Sequence, residues 1–258
     1  MKKGTYFSLL IAGLAMLSSC DTDKPVQPPV QPEKKGITLN FNVEWNGQPL
    51  ELNKFQYTQT NGEVLMFRTW SLILAKLSLV RTDDTEVQLG DGYQWINLAT
   101  GRTNFNYATV PTGNYKGIRF QLGPDSAINH GDPTIWPADH PLNGNLTGLH
   151  WGWAGGYIFQ AIDGEFKENA SATVSKGLSF HTATDQFQTN YFLPYNFNLE
   201  GTHKTAGIAI DASVMFANPN PIVLKNKSVS HSTGVDELAL MQKIIENSVG
   251  AYRIVSVN

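Results

Sequence analysis

Cysteine is almost missing from this chain of 258 residues: there is one, Cys20. A lone thiol at that place excludes intrachain disulfides, thiolate metal clusters and Cys-x-x-Cys redox motifs from everything that follows. Metal chemistry, if there is any, must rest on His, carboxylate, Met or modified side chains. An excess of positive charge is missing too. Nineteen Lys and Arg stand against 22 Asp and Glu, scattered singly with no basic stripe, which argues against nucleic acid as a partner. Beyond Cys20 no apolar run reaches the roughly 20 residues that a membrane span needs. There is no Gly-x-Ser-x-Gly elbow, no HExxH, no His-x-His and no phosphate-cradling glycine loop before a helix. No catalytic triad or carboxylate pair emerges, and the chain reads as a binding protein rather than an enzyme.

What is present begins with a leader. Lys2 and Lys3 are followed by an apolar core from Tyr6 to Leu17 and then by Leu17-Ser18-Ser19-Cys20, which reads as a lipobox. Residues 1–19 are thus expected to be a signal peptide, cleaved so that a lipid on Cys20 anchors the protein. The Pro- and Gln-rich stretch from Asp21 to Lys35 has little to bury and reads as a semi-extended spacer, so residues 20–36 form a lipidated linker. The expected location is the cell envelope, most simply the outer membrane, on its periplasmic or surface face.

From Ile37 onward strict alternation dominates. Ile37, Leu39, Phe41 and Val43 share one face of a half-buried strand, and Asn46-Gly47 reads as a turn. Further strands are predicted at residues 63–67, 72–81, 86–89, 117–122, 156–163, 179–181, 191–199 and 207–216. Short turn-separated strands in this number predict an all-β domain over residues 37–258, an antiparallel sandwich or barrel. One helix is predicted, Val235 to Ser248, with Thr233 near its start and Gly250 past its end. A last strand, Tyr252 to Val257, returns to the sheet.

The stretch from Pro124 to Trp153 breaks the alternation with four prolines and a concentration of His and Trp. Long loops in compact domains are usually functional, and aromatic content argues for packing. His130, His140, His150 and His181 lie in or after this stretch. Imidazole without thiolate suits copper or zinc, whereas any one of these histidines also fits a hydrogen-bonded structural role. His203 and His231 sit in polar, turn-like contexts and read as solvated. Trp151-Gly152-Trp153 can fill the mouth of the core, stack on a sugar, or place an oxidisable indole beside a metal.

These features resemble the MbnP-like proteins of the methanobactin-associated and copper-repressible group. The resemblance starts at Asn46-Gly47-Gln48-Pro49-Leu50 and Asn61-Gly62-Glu63. It continues through the strand from Ser71 to Val80 and the run from Tyr115 to Gly123. It is most specific at Ile128-Asn129-His130, Pro141-Leu142-Asn143, Leu149-His150-Trp151-Gly152-Trp153, Gly156-Tyr157-Ile158-Phe159 and Phe180-His181. It implies a Greek-key-like β-sandwich with long loops and one short C-terminal helix. It also implies a mononuclear copper site with two histidines, sometimes beside a tryptophan oxidised to kynurenine by a di-haem peroxidase-like partner. On the matching positions the two histidines are His130 and His181, with His150 and His140 as additions and Trp151 or Trp153 as the tryptophan. The expected role is copper acquisition or handling, with an outer-membrane transporter as the alternative partner. The alternatives are a metal-free surface module binding glycan or protein through Trp136, Trp151 and Trp153, and a bare scaffold in which the histidines staple loops.

Overall fold

The computed structural model describes residues 34–152 and 155–258; Cys20, the leader, most of the linker and Trp153 lie outside the described residues. In chain order the strands are β1 (Lys34–Trp45), β2 (Gln48–Pro49), β3 (Tyr57–Thr58), β4 (Val64–Arg81), β5 (Glu86–Gln88), β6 (Gln94–Asn97), β7 (Asn104–Pro111), β8 (Gly113–Leu122), β9 (Ile158–Lys167), β10 (Lys176–Ala183), β11 (Thr189–Leu199), β12 (Lys204–Asp211), β13 (Val229–Ser230) and β14 (Tyr252–Val257). The helices are α1 (Ser126–Asn129), α2 (Gly144–Thr147), α3 (Ala212–Ala217) and α4 (Val235–Ser248).

Two sheets pack face to face as a β-sandwich. The smaller runs β14-β12-β1-β2, with β7 also on β1; the larger runs β11-β8-β4-β9-β10-β13, with β3, β5 and β6 on β4. Aromatic contacts fill the space between them: Trp45 of β1 lies 6.2 Å from Phe67 of β4, and Phe120 of β8 lies 5.5 Å from Tyr252 of β14, measured between ring centroids. Ile37, Leu39 and Phe41, predicted to share a face, are all buried in this core. Burying side chains of this size is worth about 1.5–3 kcal/mol each, so the alternation of β1 alone holds a large share of the interface between the sheets.

Several expectations need correction. The first strand begins at Lys34, not Ile37, because Lys34 and Lys35 pair with Pro111 and Val110 of β7. Residues 64–67 and 72–81 belong to one strand, β4, since the residues between them keep pairing with β9, and Glu63 lies just before it. Its register shifts between Ala75 and Ser78, where Lys76 takes a positive φ of 52°, the sign of a bulge. The sheets are mixed rather than purely antiparallel: β1 runs parallel to β12, and β10 parallel to β13. The strand expected over residues 207–216 stops at Asp211. The Asp211 carboxylate accepts the Ser213 N–H at 2.9 Å and caps α3; the apolar run that follows suits a buried helix as well as a strand. Helix α4 falls where periodicity placed it, but Gly234 is its N-cap residue and Thr233 donates instead to Glu237, at 3.1 Å. Among the described residues no helix is long and apolar enough to cross a membrane.

Candidate metal site

Strand β10 has two chemical faces. Leu178, Phe180 and Thr182 point into the sandwich, so Ser179 and His181 are left on the outer face. Antiparallel pairing sets Ser179 opposite Asp163 of β9 and His181 opposite Ala161. Asp163 is thereby a diagonal neighbour of His181 on the same face, within reach of a side-chain contact. His181 Nε2 lies 3.0 Å from Asp163 Oδ1, and Ser179 Oγ donates to the same oxygen at 2.7 Å. Burial pushes the Asp163 carboxyl up, but hydrogen bonds from His181 and Ser179 and the nearby charge of His181 and His231 together hold it below the usual carboxylate range. His181 Nδ1 is buried and has no hydrogen-bond partner among the described residues.

A second imidazole reaches this place from the other side. β13 adds to β10 in parallel, pairing Ser230 with Phe180. Just beyond it the Ser232 hydroxyl donates to the His181 carbonyl at 2.8 Å and accepts the Ala183 N–H at 3.2 Å. Glu237, in the first turn of α4, accepts the His231 N–H at 2.9 Å. Held between these clasps, the His231 ring stands 5.0 Å from that of His181 at 47°. The Trp151 indole closes the group, 6.2 Å from His181 and 6.3 Å from His231, edge-on to the latter at 88°. With Thr233 these three line an open cavity of about 380 Å³. Sequence kept His231 out of the candidate site, whereas the fold brings its ring beside that of His181. Its local sequence carries no sign of the site, because the contact depends on β13 pairing with a strand distant in the chain.

The other three histidines expected at the site, His130, His140 and His150, stand apart from this pair, each with contacts of its own. His130 caps the end of α1 and faces Asp185 at 3.1 Å, where Asn129 Nδ2 also donates at 2.8 Å. His140 lies flat on Trp136, 4.3 Å between centroids at 12°, with Nε2 2.8 Å from Asp91 and Nδ1 accepting the Leu142 N–H at 3.1 Å. His150 Nδ1 accepts the Gly152 N–H at 2.9 Å, and its ring stands edge-on to Tyr157 at 4.5 Å. Burial lowers the His150 pKa. His150 lines a separate polar cavity of about 300 Å³ with Thr134, Asn143 and Asn145. Among the described residues no three His, Cys, Asp or Glu side chains gather so as to hold a metal; what the fold brings together is a pair of imidazoles with an indole.

The specific motif residues have structural work of their own. Asn129 is buried, and its Oδ1 accepts the Tyr157 N–H at 2.8 Å while its Nδ2 reaches Asp185. The Tyr157 hydroxyl donates to the Leu142 carbonyl at 2.7 Å. Asn143 caps α2 and donates to the Trp136 carbonyl at 3.0 Å. These bonds fold the long segment back on itself and carry Trp151 to the edge of β10.

No curated protein matches the chain. A solved structure, MbnP from Methylosinus trichosporium, is similar at a TM-score of 0.50 and 12% identity, over 88% of this chain and 99% of that one. The MbnP family model matches residues 34–235, from the first paired residue of β1 to the first residue of α4, and on that match the chain belongs to the MbnP family.

Proposed function

We propose that this protein is a copper-binding lipoprotein of the cell envelope, with His181 and His231 as imidazole ligands and Trp151 beside them. The observation that carries this reading is the pairing of those two rings, 5.0 Å apart at the rim of a cavity. The donors fit the metal. Imidazole suits copper where no thiolate is available, and a buried nitrogen without a partner, as at His181 Nδ1, costs free energy until something binds it. Membership of the MbnP family supports copper over zinc. Lipidation at Cys20 places the site outside the inner membrane, in a role of acquisition or handling, without catalysis by the chain itself. The indole of Trp151 is the tryptophan within reach of oxidation by a partner di-haem enzyme, and an outer-membrane transporter is the natural recipient of the metal. The metal-free alternative is less well supported, because Trp136 has one face covered by His140.

The test is elemental analysis with intact mass on untagged protein from copper-supplied cells. About one copper per chain is the expected result, with or without the mass change of an oxidised indole. Protein that carries no copper and takes up none afterwards overturns the reading.

A further inference from the structure

His181 has two ring nitrogens in unlike surroundings. Nε2 faces a carboxylate that also takes the Ser179 hydroxyl, and Nδ1 is buried with no partner among the described residues. An ionised carboxylate only accepts, so the contact at 3.0 Å requires the proton on Nε2. A neutral ring with Nε2–H keeps its lone pair on Nδ1. The carboxylate is itself fixed: Asp163 lies in the β9–β10 ladder directly opposite Ser179, so its position is set by backbone pairing rather than by a mobile loop.

Resting on the copper reading above, we infer that Asp163 is a positioning residue that fixes His181 as the Nε2–H tautomer and presents Nδ1 as its metal-binding nitrogen. Three consequences follow from that arrangement. The outer carboxylate raises the basicity of the ligand nitrogen, as partners of metal-bound histidines generally do. It also opposes a flip of the ring, since a flipped ring would set Cε1 in place of Nε2–H against Asp163 and lose the hydrogen bond. Finally, it separates the roles of the two imidazoles: His231 is held through its backbone N–H by Glu237, and its ring, without a hydrogen bond among the described residues, can adjust to the metal while that of His181 is fixed.

The experiment uses histidine labelled with nitrogen-15 in the whole protein, observed by long-range nitrogen–proton correlation before and after anaerobic addition of copper(I), which is diamagnetic. The metal-free protein is expected to show His181 protonated at Nε2 and bare at Nδ1, and copper(I) is expected to move the Nδ1 resonance while Nε2 keeps its proton. D163A should lose the single tautomer and bind copper about 10–100-fold more weakly, the usual cost of removing such a partner. D163N, whose amide oxygen still accepts from Nε2–H, should recover both tautomer and affinity; a merely structural role for the carboxylate predicts no such link between them. Copper bound through Nε2, or a D163A protein with unchanged tautomer and affinity, overturns the inference and leaves the copper site standing. Failure of copper to shift either ring, with the tautomer as expected, overturns the copper reading and this inference together.

Discussion

The imidazoles of His181 and His231 stand 5.0 Å apart although one sits on β10 and the other follows β13. Replacing either with Ala is expected to weaken copper binding by at least about 100-fold, beyond the range typical of a residue that only supports a ligand. His130→Ala, His140→Ala and His150→Ala are expected to leave stoichiometry and affinity within a few-fold of the parent, because none of those rings contacts the His181–His231 pair: His130 faces Asp185, His140 faces Asp91, and His150, whose Nε2 is buried without a partner among the described residues, stands against Tyr157. Competition titration against a copper chelator separates the two groups. A loss at His130 equal to that at His231 would move the site to the end of α1.

Asn129 ties Tyr157 and Asp185 to the same side chain. Asn129→Ala leaves the buried Tyr157 N–H without its acceptor, at an expected cost of about 2–3 kcal/mol. Gly156→Ala attacks the same joint from the other side. Gly156 has φ of +67°, and a Cβ there would lie 2.6 Å from Asn129 Oδ1 and 2.9 Å from its carbonyl oxygen. Both variants should unfold at lower denaturant than the parent, with Gly156→Ala at least as affected. Parental midpoints for both would show that the loop carries no stabilising contact at this joint.

These two sites also mark what the sequence discloses and what it hides. Alternation placed β1, β11 and β14 because half-buried strands impose a period of two. It could not show that β4 is one strand, since its buried run has no polar face to count. The motif around Ile128-Asn129-His130 drew attention to its histidine, yet Asn129 is the buried member and His130 is exposed. His181 was legible as a candidate, and its alternation partner Ser179 lies on the same face. His231 was not, because two long-range contacts bring it there, β13 on β10 and Ser232 on His181, with Glu237 holding the His231 N–H locally. The carboxylates opposite His130, His140 and His181 were equally hidden, being set by pairing and loop closure rather than by spacing.

Glu63 is almost wholly buried and unites two distant segments. Its carboxylate accepts the N–H groups of Leu224 at 2.9 Å and Lys225 at 2.8 Å, and Asn61 Nδ2 donates to it at 3.0 Å. Glu63→Ala leaves both backbone donors unpaired and is expected to cost about 3–5 kcal/mol, since bonds to a charged acceptor are the stronger kind. Glu63→Gln keeps an acceptor oxygen and should cost less. Equilibrium unfolding of the three proteins measures the difference; equal stabilities for Ala and parent would mean that the 224–225 segment is not held by Glu63.

Asp185 should contribute to acid sensitivity. Burial pushes its carboxyl up, but the hydrogen bonds of Ser126, Asn129 and His130 and the charge of His130 prevail and hold it below its ordinary value of 3.8. With a depressed folded pKa, the unfolded chain binds the proton first as pH falls. The stabilisation is therefore complete above the ordinary carboxylate pKa and is lost as pH drops through the folded one. Asp185→Asn removes this dependence. The stability gap between parent and D185N, measured by denaturant unfolding at steps from about pH 6 downward, should be constant until near the ordinary carboxylate pKa and then narrow. The effect should be modest, because the side chain is about a third exposed at 36% and solvent screens such pairs. A gap that widens on acidification would mean that Asp185 is protonated more readily in the fold than out of it, and would remove the ionised carboxylate from the joint between α1 and the turn that follows β10.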